Sequence, residues 1–133
     1  MYRFLFVVAL ALVSSHATAV IKTLKPIKTW TGRMPLVVQP LLQSSVSDRV
    51  QWQRIWTTCQ MKGVPDIVDF DKNLVLVTVR RGSSVKITNI MLDNGNVTTT
   101  VMVAPGQTDH YTCAMALVDR DGIKTVNGME LGR

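Results

Sequence analysis

Three aspartates lie close together and are the residues whose type and spacing first suggest chemistry. Asp66, Asp69 and Asp71 fall within six residues, directly before the apolar stretch 74–79. Carboxylates at this density can coordinate a divalent cation, or two of them can share acid and base roles in a reaction. Either use requires a backbone that brings the side chains to one place.

A calcium-loop pattern begins at Asp69 but does not continue. The letters D-F-D-K-N match the start of D-x-D-x-N, yet Leu74 stands where the loop needs glycine and Arg80 where it needs a bidentate glutamate. This excludes an EF-hand, and we expect neither a metal nor another cofactor. A different calcium site built on Asp66 and Asp69 is the alternative.

The simplest interpretation of these aspartates is structural. Aspartate favours turns and strand entrances, where its carboxylate accepts backbone N–H bonds. Asp69 and Asp71 would then mark the entrance to the strand at 74–79, and Phe70 would anchor it from below. If this stretch is extended, the two carboxylates share one face, so an acid–base pair stays open as the alternative.

Other catalytic groups are sparse. After the N-terminal leader the chain has one histidine, His110, and a Ser/His/Asp triad would have to combine it with Ser83 or Ser84. No nucleophile-elbow motif supports that, and neither a zinc-ligand set nor a glycine-rich phosphate loop is present. We therefore expect no catalytic residues and no enzyme, with a small hydrolase using His110 as an alternative.

Basic residues follow the apolar stretch. Arg80 and Arg81 end it, and Lys86 lies on the next predicted strand. If the two strands pair, the three cations form a patch suited to an anionic polymer or cell surface. The net charge of +6 agrees with such a partner. The alternative is that these charges protect a sheet edge from aggregation.

The N-terminus matches a secretory signal peptide. Arg3 precedes an apolar run of about ten residues, shorter than the roughly 20 of a spanning helix, and Ala17-Thr18-Ala19 forms an A-x-A site. We predict a signal peptide over 1–19, cleavage after Ala19, and a secreted or periplasmic domain over 20–133. No later stretch is apolar for long enough to cross a membrane, and export makes nucleic acid an unexpected partner.

Two cysteines, Cys59 and Cys113, remain after the leader. An even count in an exported chain predicts one disulfide, and two separate buried thiols are the alternative.

One amphipathic helix is expected after residue 45. Trp52, Ile55, Trp56 and Cys59 fall at i, i+3, i+4 and i+7, which places them on one stripe. Tryptophans on such a stripe more often dock a helix on a sheet than bind a ligand. Ser45 starts an S-x-x-D capping box, Ser47 is an alternative N-cap, and the helix should end near Lys62-Gly63.

The rest of the chain predicts strands. Breakers such as Pro26 indicate edge strands early on, and the apolar stretch 74–79 suggests a strand covered on both faces. Asn94-Gly95 predicts a type I′ hairpin between 84–92 and 97–103, and further strands follow at 111–120 and 123–131. The fold class is therefore α+β, with one helix packed on an antiparallel β-sheet or half-open barrel.

Residues 50–118 resemble the C-terminal domain of the PrcB-like family, secreted bacterial proteins named for a regulator of a surface protease complex. The resemblance rests on a tryptophan-bearing helix (Trp52 and Trp56), then Pro65, Asp69 and Phe70, then the apolar strand. At the turn that follows, "RRGSSVKI" departs from the family pattern and keeps only Gly82. The resemblance implies a non-catalytic, protein-interacting role outside the cytoplasm.

The sequence thus predicts a secreted binding or regulatory module that docks a protein partner, such as a protease or envelope complex. A polyanion or cell-surface binder using Arg80, Arg81 and Lys86 is the first alternative, and the small hydrolase is the second.

Overall fold

The structure, a computed structural model, describes residues 21–36 and 43–132. The predicted signal peptide and its cleavage point lie outside the described residues. Strands account for 51% of the described part, which is mainly β with one short helix. In chain order the elements are β1 (Lys22–Thr23), β2 (Lys28–Pro35), β3 (Ser45–Val46), α1 (Arg49–Thr58), β4 (Asn73–Arg81), β5 (Ser84–Asp93), β6 (Asn96–Ala104), β7 (His110–Asp119), β8 (Thr125–Val126) and β9 (Met129–Glu130).

A four-stranded antiparallel sheet, ordered β2-β7-β4-β3, forms the centre of the fold. Strand β4 is buried on both faces, as its continuous apolar run predicted. Alternate residues of a strand point to opposite faces. Val75 and Val77 join the core beneath α1, while Leu74 and Leu76 join a second core against the other sheet.

Helix α1 covers one face of the four-stranded sheet. Its buried residues, Trp52, Ile55 and Trp56, lie on the predicted stripe and pack in the same core as Val75 and Val77. The tryptophans therefore dock the helix, in agreement with their spacing.

The predicted helix ends were wrong at both termini. Ser45 lies in β3, and the N-cap is Asp48, whose carboxylate accepts a bond of 2.8 Å from Gln51 N–H. At the other end, the helix finishes at Thr58, before Gly63. Gln60 takes a left-handed φ of 52°.

A Schellman motif explains this early end. Met61 N–H bonds the Trp56 carbonyl at 3.0 Å, and Gln60 N–H bonds the Thr57 carbonyl at 3.1 Å. These are the two bonds of the motif, with glutamine in the position that usually holds glycine. The chain thereby turns sharply away from the helix at Gln60.

A five-stranded sheet, ordered β1-β5-β6-β8-β9, packs on the opposite face of the central sheet. The type I′ hairpin is confirmed, since Asn94 and Gly95 have φ of 47° and 82° and Asp93 pairs with Asn96. A β-bulge interrupts the β5–β6 pairing between Ile87 and Asn89.

Two features of the topology differ from the expected antiparallel sheet or half-open barrel. The described residues form two sheets that do not close into a barrel, and β6 pairs with β8 in parallel. Strands β4 and β5 are consecutive but belong to different sheets. Gly82 lies at the crossing, where a Cβ would come within 2.6 Å of Val103 Cγ1 and 3.0 Å of the Ala104 carbonyl oxygen. The short 81–84 connection therefore packs tightly against the end of β6.

Candidate functional site

The three aspartates have separate structural roles. Asp66 Oδ2 accepts hydrogen bonds from Lys28 Nζ and Trp30 Nε1, the latter at 2.8 Å. These bonds hold the pKa of Asp66 below its usual value, and the bond from Lys28 has the larger effect. Asp69 Oδ1 instead accepts the backbone N–H of Asp71 at 3.1 Å. Asp71 is exposed, so the carboxylates do not converge on one point.

Asp69 makes the turn that starts β4, as its structural interpretation predicted. Its carbonyl accepts N–H bonds from Lys72 and Asn73 at 3.2 and 2.8 Å. Phe70 is half-buried against the core beneath α1, and its carbonyl accepts a bond of 2.7 Å from Arg120 Nη1. Within residues 21–36 and 43–132, no three His, Cys, Asp or Glu side chains are grouped to hold a metal ion.

Three indole N–H groups hold the segment 63–70, which carries Asp66 and Asp69. Trp52 Nε1 donates to the Asp66 carbonyl at 2.9 Å, and Trp56 Nε1 donates to the Gly63 carbonyl at 3.1 Å. Trp30 Nε1 donates to the Asp66 carboxylate. We call residues 63–70 the 63–70 segment. It is a loop whose backbone is fixed at two points by buried tryptophans.

The tryptophans also pack on one another. The Trp30 and Trp52 ring centroids are 4.9 Å apart, and those of Trp52 and Trp56 are 5.4 Å apart with an edge-on geometry. Aromatic pairs at such distances add about 0.5–1.5 kcal/mol each beyond their buried area. Lys28 Nζ lies 5.5 Å from the Trp30 ring centre. Sequence reasoning did not single out Trp30 or Lys28, because they are more than 30 positions from Asp66 and share no motif with it.

Apolar side chains project from this rigid segment. Ile67 is 100% exposed and Val64 86% exposed, although both are aliphatic. Val50, on the first turn of α1, is also exposed. Val64 and Ile67 line one surface, and exposed aliphatic side chains that share a surface are typical of an interaction site.

A groove of about 490 Å³ lies between α1 and the 63–70 segment. Its lining includes Trp52, Val64, Val68 and Phe70, with Arg49 and Gln53 on the helix side. The groove thus combines an apolar floor with one cationic side chain, one amide and the Asp66 carboxylate, which is paired with Lys28.

The predicted basic patch is divided between the sheets. Arg80 and Arg81 end β4 in the central sheet, and Lys86 lies on β5 of the other sheet. The two strands do not pair, so the condition on which the predicted patch depended is not met. Arg80 and Arg81 line a cleft between the two sheets, and Lys86 is not among its described lining residues. Whether the three act together stays a prediction.

Cys59 and Cys113 lie next to each other as free, buried thiols. Their side chains are hydrogen-bonded, and this contact together with burial raises the pKa of Cys59. Gly32 is the strand partner of Cys113, and a Cβ on Gly32 would come within 2.9 Å of Cys59 Cβ. Glycine at this position lets the end of α1 approach the sheet. The disulfide stays a prediction, with its two partners side by side.

His110 does not form a triad with either proposed serine. Its ring Nδ1 lies 3.0 Å from Asp109 Oδ1, a contact that lowers the pKa of Asp109. Among the hydrogen bonds of the described residues, none joins a serine hydroxyl to this ring. The serine–histidine contact of the hydrolase alternative is therefore not formed among these residues, and the alternative stays a prediction.

Comparison with protein-family models, with curated proteins and with solved structures found no match for this chain. The resemblance to the PrcB-like family stays a prediction that rests on its own residues. In the part of the chain that is described, no helix has the length and apolar character that a bilayer crossing requires.

Proposed function

We propose that this chain is a secreted, non-catalytic module that docks a protein partner through the 63–70 segment and the adjoining groove. The observation that carries the proposal is the combination of exposure and rigidity at Ile67. This side chain is fully exposed, yet its neighbour Asp66 is held by two tryptophans and a lysine.

Rigidity is what makes an exposed aliphatic side chain effective in binding. A flexible loop loses backbone conformational entropy when a partner orders it, at about 1–2 kcal/mol per residue. The indole hydrogen bonds to Gly63 and Asp66 fix this backbone before any partner arrives. Ile67 and Val64 can therefore enter an apolar pocket of a partner with little of that cost.

The N-terminal pattern and the resemblance to PrcB-like proteins support a partner outside the cytoplasm, such as a protease or envelope complex. The scarcity of catalytic groups in the sequence supports a role without chemistry. Arg49 at the margin of the groove favours a partner with a carboxylate near its apolar pocket.

The test compares two aspartate substitutions at exposed apolar positions. Ile67→Asp places a charge at the centre of the proposed surface, and Met102→Asp places one on the five-stranded sheet, where Met102 is 64% exposed. Both side chains are exposed, so both variants should fold. Purified wild-type protein is used to capture partners from the exported proteins of the producing organism, and each candidate is then produced and bound in isolation.

We expect one purified partner to bind wild type and Met102→Asp alike. Ile67→Asp should bind it at least tenfold more weakly, a loss of about 1.4 kcal/mol. Equal binding by Ile67→Asp, or no partner that survives reconstitution, would contradict the proposal.

A further inference from the structure

A second cleft, of about 550 Å³, lies between the two sheets and shares no described lining residue with the groove beside α1. The central sheet contributes Thr78, Arg80, Arg81 and Tyr111, and the five-stranded sheet contributes Thr99 and Val101. Small-molecule sites in proteins have volumes of about 300–1,000 Å³. The cleft therefore has the size of a ligand site.

Arg80 gives this cleft its charge, while the Arg81 guanidinium reaches the loop before β7. Arg80 Nη1 donates to the Val79 carbonyl at 2.9 Å, and Arg81 Nη2 donates to the Thr108 carbonyl at 3.3 Å. Each guanidinium carries five N–H donors, so these bonds leave most of them for a ligand. The ion pairs found between described residues are Lys28–Asp66 and Asp109–His110, and neither involves an arginine.

The remaining lining is neutral and rich in hydrogen-bonding groups. Thr78, Thr99 and Tyr111 contribute hydroxyls, and Gln43 and Asn127 contribute amides. The Asn127 amide already bonds Thr99: its Oδ1 accepts the Thr99 N–H at 3.2 Å, and its Nδ2 donates to the Thr99 hydroxyl at 3.3 Å. The hydroxyls offer the polar partners that a polyhydroxylated ring needs.

We propose that this cleft binds an acidic saccharide, with Arg80 on its carboxylate or sulfate and the hydroxyl-bearing residues on its ring. A guanidinium group pairs with such an anion through parallel N–H···O bonds. An acidic peptide would use the arginine equally well but would leave the hydroxyl lining unused. The site is independent of the protein-docking surface and makes a second contact outside the cell.

The experiment is calorimetric titration of the purified protein, at about physiological salt, with size-defined oligosaccharides of hyaluronan and heparin. Glucuronic acid alone, neutral dextran and poly-L-glutamate are titrated in parallel. Arg80→Gln is compared with Lys86→Gln, which removes the same charge from an exposed residue outside the cleft. Thr78→Val and Tyr111→Phe remove single hydroxyls while keeping the side-chain shape.

We expect at least one acidic oligosaccharide to bind, and Arg80→Gln to weaken it about tenfold, as for a lost charge-assisted hydrogen bond. Lys86→Gln should bind within about twofold of wild type, the difference that a distant surface charge makes at this salt. Thr78→Val or Tyr111→Phe should weaken saccharide binding but leave poly-L-glutamate unaffected. Comparable affinity for glucuronic acid alone would identify a free acidic sugar as ligand, and much tighter oligosaccharide binding would identify a polymer.

Three results would overturn the proposal. These are no binding of any acidic saccharide, equal losses in Arg80→Gln and Lys86→Gln, or binding that neither hydroxyl substitution changes. The last two would mean that the protein attracts polyanions by net charge alone. Ile67→Asp should retain saccharide binding, so failure at one surface is distinguishable from failure at the other.

Discussion

Replacing Gly32 with alanine tests how closely α1 and the 63–70 segment are seated on the central sheet. An added Cβ would lie 2.5 Å from the Cys59 carbonyl oxygen, 2.8 Å from Met61 Sδ and 2.9 Å from Cys59 Cβ. The Met61 thioether can move, because it is the flexible end of a side chain. The Cys59 carbonyl cannot, because it accepts the Arg33 N–H at 3.0 Å and belongs to the helix cap.

The cost follows from these contacts. Overpacking of a fitted core costs about 1–3 kcal/mol, and loss of the Arg33–Cys59 hydrogen bond costs about 1 kcal/mol. Alanine also restricts the unfolded chain, which offsets about 0.4–1 kcal/mol. We expect Gly32→Ala to lower the free energy of unfolding by about 2–3 kcal/mol, or the melting temperature by about 10 °C.

Urea denaturation followed by tryptophan fluorescence measures this directly, since all three tryptophans lie in the affected core. Gly106→Ala is the matched control: the nearest atom to its added Cβ is Ser83 Cβ at 3.5 Å, an ordinary contact. The control should stay within about 0.5 kcal/mol of wild type. If Gly32→Ala is as stable as Gly106→Ala, the close seating of the helix end on β2 is refuted.

The other predictions concern the Asp66 contact and the cysteines. Because the pKa of Asp66 is lowered in the folded protein, its stabilising contribution is present above the unfolded value of 3.8 and is lost as pH falls through the folded value. Urea midpoints between about pH 7 and pH 3 should therefore fall less steeply in Asp66→Asn than in wild type, and parallel curves would argue against the Lys28–Asp66 contact. For the cysteines, we expect the exported protein, denatured without reductant, to take up no alkylating agent. Reduction should then cost about 4 kcal/mol, as for a loop of 113 − 59 = 54 positions; two labelled thiols would exclude the disulfide.

Local signals in the sequence predicted the elements that depend on local physics. The Trp52 stripe, the run in β4 and the Asn94-Gly95 turn each need only neighbouring residues to specify them, and each is found. The helix ends were misplaced because Ser45 is used by β3 and because Gln60 accepts a left-handed conformation that usually favours glycine.

Local sequence signals could not predict how distant parts of the chain are arranged. The separation of β4 and β5 into two sheets depends on the close packing of Gly82 against the end of β6. Hydrophobic periodicity in the sequence carries no information on such a contact. The contact between Lys28 and Asp66 joins positions 38 apart. The exposure of Ile67 had no local signal either, because its neighbour Val68 in the same stretch packs against the core.

The order of strands in the central sheet determines when this protein can complete its fold. The β5–β6 hairpin closes through a two-residue turn, and its pairing can begin as soon as Asn96 is available. By contrast, β2 pairs with β7, so Lys28 waits for Leu117, and β4 has only its two-residue pairing with β3 until the same strand arrives. Pairings between such distant positions close slowly because a long loop must be ordered first. The chain therefore remains without its main core until nearly all of it is present.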